Sequence, residues 1–187
     1  MRVRDILITG DPVLHNPAQQ VSEINDYIRD LVEDMYLTME AAPGVGLAAP
    51  QVGIPLQIFV YDWEDESGEH RNVAINPTLE LSKLESRDPD PDTESEGCLS
   101  VPGERFGLVR AAQATLTALD ISGEKYVLEA SGWLARILQH EFDHLQGTLY
   151  VDRLAQKEQK AARKAIKTNG WGAPGQSWSP GEDFLEP

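Results

Sequence analysis

The sequence has few cysteines, few basic residues and no long apolar run. Cys98 is the single cysteine among 187 residues, so no disulfide forms within the chain and the fold does not depend on one. No stretch approaches the roughly 18 apolar residues that a membrane span needs. The basic start of the chain, residues 1–5, leads into no apolar signal-peptide core. We therefore expect a cytoplasmic protein without a membrane anchor.

The shortage of basic residues argues against nucleic-acid binding. Lysine and arginine number 16 against 31 aspartates and glutamates, which gives a net charge of −15 at pH 7. Binding to DNA requires cationic surface that displaces counterions from phosphates, and an acidic chain lacks it. One segment differs, because residues 153–167 hold six basic residues and a single acid, Glu158. This segment is a basic patch on an acidic protein.

Three segments have the pattern of helices. Apolar residues recur at three- and four-residue intervals across residues 22–41, where Ser22 is a candidate N-cap. Residues 131–146 predict a second helix that Ser131 could cap. The alanine- and lysine-rich residues 153–168 predict a third.

Short strands lie between these helices. Alternating and β-branched patterns predict strands at residues 56–61, 72–76, 108–119 and 126–128. Residues 85–96 hold six acids and two prolines, which is typical of a solvated loop. Short strands with separate helices indicate an α+β fold rather than a doubly wound parallel sheet. We expect one domain over residues 1–170 and an irregular tail over residues 171–187.

A pair of histidines carries the strongest chemical signal. Only four histidines occur, and two of them lie four residues apart in residues 140–144, His-Glu-Phe-Asp-His. Positions i and i+4 of a helix share one face, so His140 and His144 can bind one metal ion. Glu141 can then reach the water on that metal as a general base. The alternative is a chance helical pair, but the glutamate between the histidines favours a metal site.

A catalytic metal needs a third protein ligand and an open position. No histidine follows His144, and the first later glutamate, Glu158, lies in the basic patch. Upstream, residues 96–100 (Glu-Gly-Cys-Leu-Ser) place the single thiol in polar surroundings after the acidic loop. We therefore favour Cys98 as the third ligand over a buried core cysteine.

A third segment is rich in small residues. Residues 44–51 read Gly-Val-Gly-Leu-Ala-Ala-Pro-Gln, and two glycines with two alanines suggest backbone that closely approaches another group. Gln51 offers an amide donor that could stabilise an oxyanion. A tight turn that enters a strand has the same composition and is the alternative.

Together, the three segments resemble the three signature motifs of the peptide deformylase family, in the same order. The resemblance extends from about Gly10 to about Arg153. It implies short, mostly antiparallel sheets packed around a central helix that carries the histidine motif, plus a C-terminal helix. The departures lie outside the motifs: the acidic insertion before Glu96 and the tail after Gly170 are longer than in the shortest members.

The resemblance implies a hydrolase that removes the N-terminal formyl group from formyl-methionine of new polypeptides and releases formate. Cys98, His140 and His144 would hold one divalent metal ion, with water in the fourth position. Glu141 would take a proton from that water and pass it to the departing amine.

Further roles follow from the same resemblance. The Gln51 amide and the Leu99 backbone N–H would stabilise the negative oxygen of the tetrahedral intermediate. Glu96 and Arg110 would form an ion pair that braces the cysteine loop. Sulfur and imidazole ligands suit iron, zinc, cobalt or nickel, and the family implies Fe²⁺, with Zn²⁺, Ni²⁺ or Co²⁺ as alternatives.

The implied substrates are N-formyl-methionyl peptides of nascent chains. Family members bind them as an added strand along the residues that match Val45 and Gly46. Trp133 and Ile137 lie on the metal-binding face of the predicted helix and are candidates for the methionine pocket, with plain core packing as an equal alternative. Arg105 matches a family position near the bound peptide.

The basic segment 153–167 suits a transient contact with the ribosome, where formylated chains emerge. A solvated helix without a partner is the alternative. Two other functions compete with deformylation. A zincin-type metallopeptidase would need a downstream ligand, which the sequence lacks, and a non-catalytic homologue would lack Glu141, Gln51 or a ligand, all of which are present.

Overall fold

Nine short strands and three helices make up residues 1–183, the part of the chain that the computed structural model describes. The strands are β1 (Ile6–Leu7), β2 (Gly46–Ala48), β3 (Ile58–Asp65), β4 (Gly68–Leu81), β5 (Ser95–Cys98), β6 (Val101–Gly107), β7 (Gln113–Leu119), β8 (Lys125–Ser131) and β9 (Ser177–Trp178). The helices are α1 (Asp26–Ala41), α2 (Gly132–Leu145) and α3 (Gln156–Thr168). Short 3₁₀ helices occur at Pro12–His15, Ala49–Val52 and Tyr150–Asp152. The predicted α+β class is confirmed.

The strands form three antiparallel sheets. Five of them make one sheet in the order β2-β3-β4-β7-β8, while β5 pairs with β6 and β1 pairs with β9. Strand β2 lies at an edge of the large sheet, because β3 is its only partner there. An edge strand leaves one row of backbone groups without a strand partner, and such an edge can accept another chain.

Helix α2 packs on one face of the large sheet. Its side chains Leu134 and Leu138 join Phe59, Tyr61 and Leu116 of the sheet in one buried cluster. Eleven of its fourteen residues are buried, including both histidines. The polar groups of this helix must therefore find partners inside the protein.

Helix α1 covers the opposite face of the sheet. Its residues Leu31 and Met35 belong to a second buried cluster with Val60 and Ile75. Successive residues of a strand point to opposite faces, so the first residues of β3 bury side chains on both sides. This accounts for the unbroken apolar run at the start of that strand.

Two predicted helix starts are wrong. Helix α1 begins at Asp26 rather than at residue 22, because the side chain of Asn25, and not Ser22, accepts the hydrogen bond from the Ile28 N–H. Helix α3 begins at Gln156 rather than at residue 153, since a 3₁₀ turn and its cap precede it. Helix α2 lies within one residue of its prediction, although the Ser131 side chain makes no capping bond.

The strand predictions located the large sheet but misjudged its bounds. Strand β3 continues to Asp65 and β4 spans residues 68–81, so the two strands extend beyond their predicted ends and meet in a tight hairpin. Only Gln113–Leu119 of the predicted strand at 108–119 is extended in the sheet. Strands β5 and β6 were not predicted, because their glycines, proline and charged residues do not give the alternating apolar pattern of a strand. Their pairing is seen only in the folded chain.

The tail also contains ordered structure. Ser177–Trp178 form β9, which pairs with β1, and Trp178 is buried in the core beside Leu99. The tail was predicted to be irregular, since a two-residue strand has no visible alternation. Residues 184–187 of that tail lie outside the described residues, and the domain boundary at residue 170 stays a prediction.

None of the helices within residues 1–183 combines the length and the apolar character that crossing a bilayer requires.

Candidate active site

A cavity of about 300 Å³ opens between β2, the β5–β6 hairpin and α2. Ten predicted site residues line it: Val45, Gly46, Gln51, Cys98, Leu99, Arg105, Trp133, Ile137, His140 and Glu141. The eleventh, His144, is buried next to Cys98. The fold thus brings together residues from three distant motifs, while their individual roles stay predictions.

Three of these residues form a cluster that can hold a metal ion. His140 and His144 project from one face of α2, and Cys98 ends β5. One ligand atom from each of the three lies within 4.8 Å of the others. The Cys98 Sγ atom lies 3.4 Å from His144 Nε2. Metal bonds of about 2.3 Å to sulfur and 2.1 Å to nitrogen give tetrahedral ligand separations of about 3.6 Å, so the cluster matches such a site.

The partner of His140 sets which ring nitrogen is available. Its Nδ1 atom lies 2.6 Å from Glu96 Oε1. A carboxylate can only accept there, so Nδ1 carries the proton and donates it. The Nε2 lone pair of the neutral ring is then free to bind a metal. A carboxylate behind a ligand histidine also fixes the orientation of the ring.

The charges around the cluster favour a cation. Burial alone would raise the pKa of Glu96, but the hydrogen bond from His140 and the charge of Arg110 hold it well below its ordinary value. Burial would likewise lower the pKa of His140, but Cys98 and Glu96 raise it well above its ordinary value. An environment that raises the pKa of an imidazole stabilises positive charge at that point.

His144 is held in its neutral form. Burial, together with the neighbouring His140, lowers the pKa of His144 well below its ordinary value. Neutral imidazole is the form that binds metals, and so the ring needs no deprotonation before it can act as a ligand. The chemistry of the donor set and the convergence of its three ligand atoms fit a divalent metal.

A buried ion network braces this cluster from behind. Arg110 donates to Glu96 at 2.6 Å and to Asp143 at 2.6 Å, which confirms the predicted Glu96–Arg110 pair. Arg136 contacts Glu96 at 2.9 Å, and Arg153 contacts Asp143 at 2.5 Å. The network therefore joins α2 to the cysteine hairpin through groups that are mostly buried.

The side chain of Gln51 has one orientation that the backbone dictates. The Ala48 N–H donates to Gln51 Oε1 at 2.8 Å. The amide nitrogen Nε2 must then face the other way, where it lies 3.3 Å from Ser100 Oγ and 3.8 Å from Cys98 Sγ. A hydrogen-bond donor therefore points toward the group formed by Cys98, His140 and His144.

Leu99 lies at the turn of the β5–β6 hairpin. Cys98 pairs with Val101, so Leu99 and Ser100 form a two-residue turn. The Leu99 side chain belongs to the buried cluster under α1. Leu99 lines the cavity directly after the cysteine.

Glu141 is buried without a charged partner at one of its oxygens. Its Oε2 atom is buried and makes no hydrogen bond among the described residues. Burial raises the pKa of Glu141 to about 7, and the charge of His140 only partly offsets this. A carboxyl group with a pKa near neutrality can both accept and return a proton.

Gly46 lies against Glu141. A Cβ atom on Gly46 would meet Glu141 Oε1 at 2.4 Å and its Cδ at 2.7 Å. We expect Gly46→Ala to push the carboxyl out of position and to lower kcat by about 10²-fold, because displacing a catalytic group by about 1 Å has effects of that size. Steady-state kinetics with measured metal content would check this.

Gly44→Ala is the matched control for Gly46→Ala. Its Cβ would come close to the flexible end of Leu99, with Cδ1 at 3.0 Å, and its next neighbours would lie at ordinary contact distances of 3.5 and 3.6 Å, so we expect a change of a few-fold. Equal activity of the two variants would contradict the proposed contact between Gly46 and Glu141.

The remaining predicted residues lie toward the mouth of the cavity. Val45 is 40% exposed and Trp133 is 38% exposed, whereas Ile137 is buried. Arg105 donates to the Ser95 carbonyl at 2.8 Å. Trp133 therefore lines an opening rather than only packing in the core.

Trp63 and Arg136 also line the cavity, and neither of them was predicted from the sequence. Trp63 packs against Trp133 with ring centroids 6.3 Å apart and the planes tilted by 34°, and the Arg136 guanidinium carbon lies 5.2 Å from the centroid of the Trp133 ring. Trp63 follows Phe59 and Tyr61 at two-residue steps, and so the alternation of the strand could have placed it facing α2. Arg136 lies four residues before His140, which also places it on the metal-binding face.

Comparison with known proteins gives a consistent family. The family model for polypeptide deformylases matches residues 3–160. A peptide deformylase of Mycobacteroides abscessus is 50% identical, over 97% of this chain and 96% of the relative. A peptide deformylase of Rhodococcus opacus is 51% identical, over 97% of this chain and 95% of the relative.

Solved structures agree with the sequence comparison. A peptide deformylase from Legionella pneumophila superposes with a TM-score of 0.77 at 36% identity, covering 90% of this chain and 95% of the other. The Ehrlichia chaffeensis peptide deformylase in complex with actinonin gives a TM-score of 0.77 at 35% identity, covering 90% of this chain and 98% of the other.

Proposed function

This chain belongs to the peptide deformylase family, and we infer that it hydrolyses the N-terminal formyl group of formyl-methionyl peptides, with release of formate. One observation carries the inference: the candidate metal ligands Cys98, His140 and His144 converge beside Glu141 in a cavity that opens at a sheet edge. The cavity has room for a formyl-methionyl end. A zincin-type metallopeptidase, the competing function, lacks support from this ligand set.

We propose that Cys98, His140 and His144 hold the metal that the family requires. When bound by these residues, a divalent metal would lower the pKa of a water molecule and polarise the formyl oxygen. The ion pairs behind His140 keep its ring oriented, since Glu96 accepts its Nδ1 proton. We propose ferrous iron as the native metal because the family resemblance implies it, while one sulfur and two imidazoles suit iron, zinc, cobalt and nickel alike. Metal analysis of protein purified without oxygen tests this, and zinc as the sole metal would overturn it.

Glu141 moves the proton. In this proposal its carboxylate accepts a proton from the attacking water and then gives it to the amine that leaves as the C–N bond breaks. Its pKa of about 7 suits both steps. Its burial also keeps bulk water from competing for that proton.

Gln51 and Leu99 stabilise the negative charge that develops on the formyl oxygen when water attacks the formyl carbon. Gln51 Nε2 is held facing the cluster because its Oε1 accepts from Ala48. The Leu99 N–H directly follows the Cys98 ligand in the hairpin turn. Donors fixed before the reaction lower the barrier without reorganisation, and removing one typically lowers the rate by about 10²–10³-fold.

The peptide binds as an extended strand along β2. This strand has a free edge in the sheet, and its residues Val45 and Gly46 border the cavity. Pairing with backbone groups tolerates many downstream side chains. The methionine side chain enters between Ile137 and Trp133, while Arg105 lies near the peptide beyond it.

The direct test is formate release from formyl-Met-Ala-Ser in ferrous or nickel buffer. We expect one formate per peptide and intact Met-Ala-Ser as the other product. The same protein should leave the unformylated peptide uncut. Cleavage inside unformylated peptides without formate release would instead support a metallopeptidase.

A transient ribosome contact is a further part of the proposal, and it places the enzyme in the cytoplasm. Five basic residues of α3 are exposed, and no ion pair involves them within residues 1–183: Lys157, Lys160, Arg163, Lys164 and Lys167. Free cationic side chains on one helix suit an acidic partner such as ribosomal RNA.

Charge reversal tests the ribosome contact. We expect Lys157→Glu with Lys164→Glu to abolish co-sedimentation with ribosomes at low salt, because the pair removes four charge units from the helix surface. The control reverses Lys83 and Lys125, which are exposed elsewhere. Co-sedimentation that survives the α3 changes, or that is lost equally in the control, would count against docking through this helix.

A further inference from the structure

The sheet formed by β1 and β9 lies directly behind the hairpin turn that carries Cys98. The indole Nε1–H of Trp178 donates to the Leu99 carbonyl at 2.9 Å. The backbone N–H of Thr9, which follows β1, donates to the next carbonyl of the turn, Ser100, at 2.8 Å. Both carbonyls of the two-residue turn are therefore held from the same side.

We propose that Trp178 is a positioning residue for deformylation, acting through the Leu99 peptide. The Leu99 N–H and the Leu99 carbonyl flank one Cα atom. When the carbonyl is anchored, the backbone around that Cα loses much of its freedom to rotate, and the N–H keeps its direction. This inference rests on the proposed role of the Leu99 N–H in stabilising the oxyanion.

The contact is buried and well supported. Trp178 is 3% exposed and packs in the same cluster as the Leu99 side chain. A carbonyl in such surroundings has no water to replace a lost donor, so removing the indole N–H leaves it unsatisfied. The turn would then relax toward another arrangement, with direct consequences for the neighbouring N–H.

Backbone pairing fixes where the indole lies. The Ile8 N–H donates to the Gln176 carbonyl at 2.9 Å, and the Gly172 N–H donates to the Thr9 carbonyl at 3.1 Å. Gly10 makes this close approach possible, because a Cβ there would lie 2.3 Å from the Gly172 carbonyl carbon. The family match ends at residue 160, so this support comes from a segment beyond the matched region.

The experiment compares Trp178→Phe with Trp171→Phe in the metal-loaded enzyme. Trp171 lies in the same tail and packs against the same core, but no hydrogen bond from its indole to Leu99 exists. A second Trp178 variant carries 3-benzothienylalanine, which keeps the ring size and replaces only the N–H by sulfur. This variant separates the loss of the hydrogen bond from the loss of packing that Trp178→Phe also causes.

We expect both Trp178 variants to lower kcat by about three- to ten-fold with KM within two-fold, since one net hydrogen bond has that effect on a rate. Amide hydrogen exchange in the segment 99–101 should become faster in both, whereas Trp171→Phe should change neither quantity. Wild-type kcat and exchange in either folded Trp178 variant would overturn the proposal, as would equal losses in Trp171→Phe. Formate release by the wild type tests the proposed function separately, because the exchange measurement does not depend on activity.

Discussion

Glu141→Gln is expected to lower kcat by about 10²–10⁴-fold while the metal stays bound, because glutamine keeps the size of the side chain but cannot accept the proton. Glu141 is not among the three converging ligand atoms, so metal content should not change. Formate release and metal analysis of the same preparation measure the two effects. We expect KM to change little, since we propose that the peptide binds along β2.

Cys98→Ala is the companion variant for Glu141→Gln. It removes one of the three proposed ligands, so metal content and turnover should fall together. Loss of the metal in Glu141→Gln would show that this carboxylate acts as a ligand. Full turnover in Glu141→Gln would mean that another group moves the proton.

Glu96→Gln is expected to lower the free energy of unfolding by about 3–5 kcal/mol, the typical effect of removing one partner from a buried ion pair. Glu96 is the common partner of Arg110, Arg136 and His140, all of which are buried. Without its charge, two buried guanidinium groups each lose a carboxylate partner, although Arg110 keeps Asp143. Urea unfolding of the metal-loaded protein at pH 7 measures this.

The exposed pair of Glu85 and Arg87 provides the control for Glu96→Gln. Glu85 is 69% exposed in that pair, so Glu85→Gln should change stability by less than about 1 kcal/mol. Comparable losses in the two variants would contradict a special role for the buried network.

The low pKa of Glu96 also predicts the direction in which the free energy of unfolding changes with pH. The ionised carboxylate is favoured in the folded state, so its stabilising effect is fully present above the ordinary pKa of 4.5 and declines as the pH falls below it. Glu96→Gln lacks this group, and so its stability should fall less steeply over the same acidic range.

Much of the reaction centre could be predicted from sequence because its signals are local. The histidine pair follows from the helical i, i+4 spacing, and the single thiol in polar surroundings drew attention to Cys98. Gln51 stood out as the polar residue that ends a run of small ones. These patterns do not depend on how distant segments meet.

Other functional features left no local trace. The ion pair between Arg136 and Glu96 joins residues that are 40 positions apart, and the hydrogen bond from Trp178 to Leu99 joins residues that are 79 positions apart. Strands β5 and β6 are short and polar, so their pairing depends on the surrounding fold more than on their own composition. The start of α1 likewise depended on which of two nearby polar residues reached the cap position.

By itself, the sequence determined the fold class and the family, and it predicted which residues would serve as metal ligands and general base. Only the tertiary structure decided the protonated nitrogen of His140, the direction of the Gln51 amide, the space that Gly46 leaves for Glu141 and the anchoring of Leu99 by Trp178. The physical reason is the separation along the chain over which each kind of interaction acts. Helical and strand periodicity act between near neighbours, whereas hydrogen bonds, burial and charge compensation depend on which distant groups the packed chain brings together.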